Sequence, residues 1–159
     1  MIKEIIQYFD KSPFPRYSVL MENIKRVAER NNIKYSLILG RPEYIKRKEL
    51  SWFYDSISVR LKELSERENC LWLDSDCEIM DENFFGYNFK TDRPYIFGKN
   101  CSSSAMFNNG FKKHFETILE NFKYGNGCIC LQYLRFNMDK FNILPEGFIK
   151  HLKMNGGHK

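Results

Sequence analysis

The first forty residues narrow the folds open to this chain more than any other stretch. "IKEIIQYFD" (2–10) is rich in β-branched and aromatic residues and runs into Lys11-Ser12-Pro13, which predicts a strand and then a loop. "PFPRYSVLMENIKRVAER" (13–30) opens on prolines and then spaces Val19, Leu20, Ile24 and Val27 at helical intervals. "NNIKYSLILG" (31–40) carries a turn signal and a compact apolar strand closed by Gly40. Strand, loop, helix and strand in that order form the unit of a parallel sheet, because parallel neighbours need a crossover between them.

The remainder continues the alternation. "ELSWFYDSISVRLKELSEREN" (49–69) places Leu50, Phe53, Tyr54, Ile57, Leu61 and Leu64 on a helical stripe that Asn69 ends. "CLWL" (70–73) is a short buried strand, and "DENFFGYNF" (81–89) is a turn followed by aromatics. "RPYIFGKN" (93–100) predicts another short strand, and "CSSSAMFNNG" (101–110) reads as a polar loop around a strand. "FKKHFETILENFKY" (111–124) is an amphipathic helix, with His114 as a surface or half-buried residue on it. "GNG" (125–127) breaks that helix, "CICLQYLRFNM" (128–138) reads as helix or strand, a helix first, and "FNILPEGFI" (141–149) is strand then turn. No repeat or linker divides the chain, so the expectation is one α/β domain over 1–159. Its central sheet is mostly parallel and flanked by helices, and a mobile polar tail over 150–159 ends it.

Charge and cysteine content exclude several classes. The net charge of +5 is spread over 25 basic and 20 acidic residues, which suits a solvated surface and also allows an anionic partner. The densest basic segment, "RPEYIKRKEL" (41–50), reads first as a solvated connection and second as an anion-facing loop. The five cysteines are odd in number and none has C-x-x-C spacing, which argues against a disulfide scaffold and a structural zinc site. Cys128 and Cys130 read as core residues. No apolar run approaches the ~18 residues of a membrane span, and the N-terminus lacks a signal-peptide layout, so a cytoplasmic protein is expected.

One segment breaks the rule that buried strands stay apolar. In "LWLDSDCEIMD" (71–81) three large apolar residues run into Asp74 and Asp76 with only Ser75 between them. A buried aspartate is costly without a partner. Residues i and i+2 of a strand share a face, so the two carboxylates should project together where "LWL" leaves the core. Ligands of α/β sheets gather at that end of the strands. A divalent cation settles such a pair, and Mg²⁺ or Mn²⁺ commonly joins carboxylates to substrate phosphates. The triplet alone is a weak motif, and an ordinary turn or helix cap is the alternative.

Several segments together carry a family resemblance. "MIKEIIQYFDKSPFP" is similar to an opening strand of the "I-P-K-I-I-H-Q-x-W" kind with its proline-bearing loop, and "NNIKYSLIL" to an "N-P-x-Y-x-Y-x-L" strand. "FYDSISVRLKELSERENCLWLDSD" is similar to a helix bearing Asp and Arg that leads into "Y-L-D-x-D". In these segments the chain resembles the DXD-containing glycosyltransferases of the GT-A fold, a Rossmann-like architecture. The likeness is strongest to the family that includes capsular-polysaccharide and yeast mannosyltransferase-like enzymes. It covers about the first hundred residues. A looser likeness joins "HLKMNGGHK" (151–159) to the "H-x-x-G-x-x-K-P-W" ending of glycogenin-like and lipopolysaccharide galactosyltransferase-like enzymes, without its Pro-Trp.

The resemblance implies a set of roles. Asp74 and Asp76 are the catalytic pair and hold Mn²⁺ or Mg²⁺, with His151 as third ligand and His158 as the alternative. Gln7 and Tyr8 lie beside the nucleotide base and ribose, although Tyr8 fits a core position equally well. Asp55 and Arg60 lie near the sugar or diphosphate, or else form a surface helix pair, and Ser75 joins the donor-binding set. The implied reaction moves a sugar from a nucleotide-diphosphate sugar, a UDP-sugar first, to a glycan or lipid-linked acceptor with retention of configuration. The positive charge also allows a nucleic-acid acceptor. The rival readings are a non-catalytic nucleotide-sugar or glycan-binding relative and a metal-dependent nucleotidyltransferase. Against the latter, the first loop, "DKSPFPR", has no glycine.

Overall fold

The structure is a computed structural model that describes residues 1–46, 48, 52–98, 102–121 and 137–154. Cys101, Cys128, Cys130, His158, the 125–127 glycine break and nearly all of the helix expected over 128–138 lie outside them. The described elements are β1 (Glu4–Phe9), α1 (Pro15–Arg30), β2 (Lys34–Leu39), α2 (Trp52–Glu66), β3 (Cys70–Leu73), β4 (Cys77–Ile79), β5 (Tyr95–Phe97), β6 (Ser102–Phe107), α3 (Lys112–Asn121), β7 (Asn142–Ile143) and β8 (Ile149–His151). Short 3₁₀ turns cover Glu82–Gly86 and Met138–Lys140.

Six strands form one sheet in the order β2-β1-β3-β6-β5-β7. β1 pairs in parallel with β2 and β3, and β5 with β7, while β6 runs antiparallel to both of its neighbours. The α/β, mostly parallel architecture expected from the sequence is therefore present. Both faces are covered, which is why every residue of β1 and β3 is buried; β3 is wholly apolar, and β1 is apolar or aromatic apart from Glu4 and Gln7. The two-residue period of the strands splits the core. Ile5, Leu71, Leu73, Ala105 and Phe107 meet Ile24 and Ala28 of α1 on one face. Ile6, Trp72, Ile96 and Met106 meet Ile57, Leu61 and Leu64 of α2 and Phe115 and Ile118 of α3 on the other.

Three sequence expectations change. The buried stripe of α1 is Tyr17, Leu20, Met21, Ile24 and Ala28, whereas Val19 is 61% exposed. The strand expected within the polar stretch 101–110 takes up more of it than the loop does, as β6, a strand inside the sheet whose Ala105, Met106 and Phe107 are fully buried. Its serines read as loop, yet small side chains also fit between a sheet and the layer packed on it. Third, the segment assigned to a polar tail over 150–159 begins inside a strand. Ile149–His151 pairs antiparallel with β4, matching His151 to Cys77 and Ile149 to Ile79.

A buried amide fixes α2 against the sheet. Asn108 has no exposed surface. Its Oδ1 accepts from Cys70 N–H at 3.0 Å, and its Nδ2 donates to the carbonyls of Leu64 at 2.9 Å and Arg67 at 2.7 Å. Asn69, at the tight join between α2 and β3, takes a left-handed conformation (φ 51°), which asparagine tolerates better than most residues. Asn108→Ala strips these groups of their partner in a place water does not reach. The expected outcome is a loss of about 3 kcal/mol, read in urea as a lower midpoint at unchanged slope.

Candidate metal centre

Asp74 follows the last residue of β3, at the C-terminal end of the parallel strands. Its N–H donates to the Ser104 carbonyl of β6 at 2.7 Å. Its own carbonyl accepts from Cys77 N–H at 3.0 Å and from Gln7 Nε2 at 3.2 Å. The bond from Cys77 closes a tight turn over Asp74, Ser75, Asp76 and Cys77. The carboxylates therefore do not project from an extended strand as the i, i+2 argument expects. The chain must swing out of the main sheet to pair β4 with β8, and the turn makes that change of direction.

The turn nonetheless gathers a cluster. Asp74, Asp76 and His151 each offer one ligand atom, and these atoms lie within 4.8 Å of one another. Asp76 is buried, and its Oδ1 is 3.2 Å from His151 Nε2. Its Oδ2 accepts from Met154 N–H at 2.8 Å, and its carbonyl accepts from Leu152 N–H at 3.0 Å. Ser104 Oγ lies 3.2 Å from His151 Nδ1, on the far side of the ring. Tyr17 OH donates to the Met154 carbonyl at 3.2 Å and ties this segment to α1.

The electrostatics of the two aspartates diverge. Burial pushes the Asp74 carboxyl above its ordinary value, against the Arg60 cation and the Trp72 N–H, and the Asp76 charge adds to the rise. Burial acts on Asp76 in the same sense. There the hydrogen bonds from His151 and Met154 outweigh it and hold the carboxyl below its ordinary value. The hydrogen bond to Asp76 raises the His151 imidazole, against its partial burial. Neighbouring carboxylates commonly part in this way when one is better served than the other.

This donor set fits a small divalent cation. Carboxylate oxygens are the hard ligands such ions take, and an imidazole nitrogen suits Mn²⁺ better than Mg²⁺. Placing Ser104 behind Nδ1 fixes the ring so that Nε2 faces the carboxylates, the usual arrangement behind a ligating histidine.

The other residues singled out in the sequence have varied surroundings. Gln7 is fully buried. Besides supporting the Asp74 carbonyl, its Oε1 accepts from Tyr35 OH at 2.9 Å, so it braces the turn rather than facing open space. Tyr8 is 6% exposed and packs in the apolar layer under α2 and α3, the core alternative. Asp55 and Arg60 are each 4% exposed and do not form a surface pair. Asp55 pairs with Arg41, whose Nε is 3.3 Å from Oδ2, and Arg60 Nη2 donates to Asp74 Oδ1 at 2.8 Å. Ser75 is half-buried within the turn. His114 is half-buried, with its ring 4.9 Å from that of Phe141. Cys70 and Cys77 are buried free thiols, and burial pushes Cys70 up to about 12. Residues the sequence reading passed over as individuals are Trp72, whose Nε1 donates to Asp74 Oδ1 at 2.8 Å, and Ser104. Trp72 carries a readable signal, because i and i+2 share a strand face. Ser104 carries none.

No family model matches the sequence, and no curated protein matches it either. Solved structures do. A glycosyltransferase involved in glycosylation of the major capsid of PBCV-1 matches with a TM-score of 0.66 at 7% identity, over 96% of this chain and 93% of that one. A mutant of Drosophila β1,4-galactosyltransferase 7, in complex with manganese, UDP-Gal and xylobiose, matches with a TM-score of 0.57 at 10% identity, over 100% of this chain and 74% of that one. The apo form of the glycosyltransferase GlyE of Streptococcus pneumoniae TIGR4 matches with a TM-score of 0.55 at 10% identity, over 91% of this chain and 45% of that one. The chain thus has the GT-A fold that its sequence resemblance implied.

The His151–Asp76 pair sets a pH dependence with a definite sign. A raised histidine value means that the folded state favours the proton. The stabilisation is complete below the unfolded value and is lost as pH rises through the folded one. In EDTA, the His151 ring should titrate above an ordinary histidine by NMR, and Asp76→Asn should bring it down. Equal titration in both proteins would refute the pairing.

Proposed function

We propose that this chain is a metal-dependent glycosyltransferase that takes a sugar from a nucleoside-diphosphate sugar, a UDP-sugar first, and passes it to a glycan or lipid-linked acceptor. One observation carries this reading. A cluster of two carboxylates and an imidazole lies at the C-terminal end of a parallel strand in a GT-A fold. The Drosophila relative, whose complex holds manganese, UDP-Gal and xylobiose, supports the donor class and the choice of metal. Finding no support in the comparisons, a nucleic-acid acceptor is not proposed. Retention of configuration remains what the sequence resemblance implies, and the anomeric signal of the product decides it.

Asp74, Asp76 and His151 would hold the ion. A bound divalent cation supplies positive charge to the diphosphate as it departs. The chain's own groups prepare for this. Met154 N–H takes Asp76 Oδ2 and limits how that carboxylate can turn. With an ion bound, His151 would be neutral, its Nδ1–H toward Ser104 Oγ and its Nε2 lone pair toward the ion in place of the hydrogen bond that Nε2 gives Asp76. Pairing of β8 with β4 fixes how far His151 stands from the turn.

A thermal-shift panel of UDP-, GDP-, ADP- and CMP-sugars tests the reading, each with Mn²⁺, Mg²⁺ or EDTA. A ligand at 100 times its Kd stabilises by about 2.7 kcal/mol, a plain rise in Tm. The expected result is a metal-dependent rise with one nucleotide class, UDP first. Asp76→Ala should abolish it while the protein stays folded. Slow metal-dependent release of free nucleotide from the same donor separates an enzyme from a binding relative. Binding by Asp76→Ala equal to wild type would place the metal elsewhere.

A further inference from the structure

Asp74 is served unequally at its two carboxylate oxygens. Arg60 Nη2 and Trp72 Nε1 both donate to Oδ1, each at 2.8 Å. Among the described residues no protein donor reaches Oδ2. Asp76 differs, since His151 takes one of its oxygens and Met154 N–H the other. Two buried donors therefore converge on a single atom, and the second oxygen keeps its lone pairs unclaimed by any described donor.

The clamp is itself rigid. Trp72 is 1% exposed in β3, and the Arg60 side chain is 5% exposed on α2. The guanidinium carbon lies 5.1 Å from the centre of the indole ring, so the cation stacks on the ring whose N–H shares its acceptor. Only a planar guanidinium can lie on an indole and still reach a carboxylate at its edge. Arg60 Nε is buried and finds no hydrogen-bond partner among the described residues. An arginine placed for its own comfort would satisfy that atom. This one gives it up to bring Nη2 onto Asp74.

We infer that Arg60 and Trp72 are positioning residues for the cation site: together they bind Asp74 Oδ1, fix the carboxylate's rotation, and present Oδ2 alone to a divalent ion. Asp74 is then a one-oxygen ligand. The inference rests on the metal-dependent reading above. It gives Arg60 a role other than contact with the sugar or diphosphate, and it brings Trp72 into the site. Loss of a group that holds a metal ligand typically costs 10–100-fold in affinity.

The test is Mn²⁺ affinity, followed by the loss of the free-ion EPR signal, in wild type, Trp72→Phe, Arg60→Met and Asp74→Asn. Trp72→Phe keeps an aromatic ring beneath Arg60 while removing the N–H together with one of the two fused rings. It stays informative if Arg60→Met fails to fold, and the Asp74→Asn background separates the lost donor from the lost packing. The expected result is about 10-fold weaker Mn²⁺ binding in Trp72→Phe. In an Asp74→Asn background, Trp72→Phe should cost nothing further. A role in packing alone would persist in that background. A metal-free readout accompanies this. The chain has two tryptophans, so two indole N–H signals appear by NMR, and that of Trp72 should resist exchange and move in Asp74→Asn. If wild type binds Mn²⁺ and Trp72→Phe binds it equally, the clamp is refuted and the metal site stands. If wild type binds no Mn²⁺, the metal reading fails and takes the inference with it.

Discussion

Asp74, at the mouth of a fully buried strand, is held both at one carboxylate oxygen and along its main chain, and much of this molecule is arranged around it. Arg60 of α2 and Trp72 of β3 donate to its Oδ1, Gln7 of β1 and the Cys77 amide of β4 donate to its carbonyl, and the Ser104 carbonyl of β6 accepts from its N–H. Each of these contacts requires its element in register. Parallel pairing of β1 with β3 sets Gln7 beside the turn. Antiparallel pairing of β3 with β6 sets Ser104 there. Asn108 holds the end of α2 against the start of β3, which keeps Arg60 at its height along the sheet. Burying an ion pair is rarely a gain over apolar packing, so a charged group retained here points to chemistry rather than stability.

Much of this frame is legible in the residues. The apolar runs of β1 and β3 betray a sheet covered on both faces, and the prolines before α1 and Asn69 after α2 mark true boundaries. The meeting of Asp74 with Asp76 also follows from their spacing after an apolar strand, although a turn and not an extension achieves it. The illegible parts share a cause. The three serines of β6 are polar in composition but lie within a sheet, where backbone pairing and small size decide. β8 is three residues of mixed character, and only its partner strand makes it a strand. Partners such as Arg41 and Asp55 come together through the fold, and local pattern cannot forecast tertiary pairing.

Helix α2 shows how a charged residue can be read wrongly from periodicity. Asp55, Arg60 and Glu63 stand among the polar positions of an amphipathic pattern, yet all are buried. Arg41, Asp74 and Arg67 respectively meet them. Such a helix is less a float on the sheet than a rack of ionic contacts. It ties the loop after β2, the turn after β3 and the foot of β1, where Arg67 also meets Glu4 at 2.6 Å.

His151 belongs to a ribbon of two strands that shares no ladder with the six-stranded sheet. Asp74 leaves the main sheet's β3 and Asp76 enters the ribbon's β4, so the cluster straddles the joint between the two, which also share a core through Cys77 and Ile149. A slip in register between β4 and β8 would carry the imidazole away from both carboxylates while every ladder of the main sheet stayed as it is.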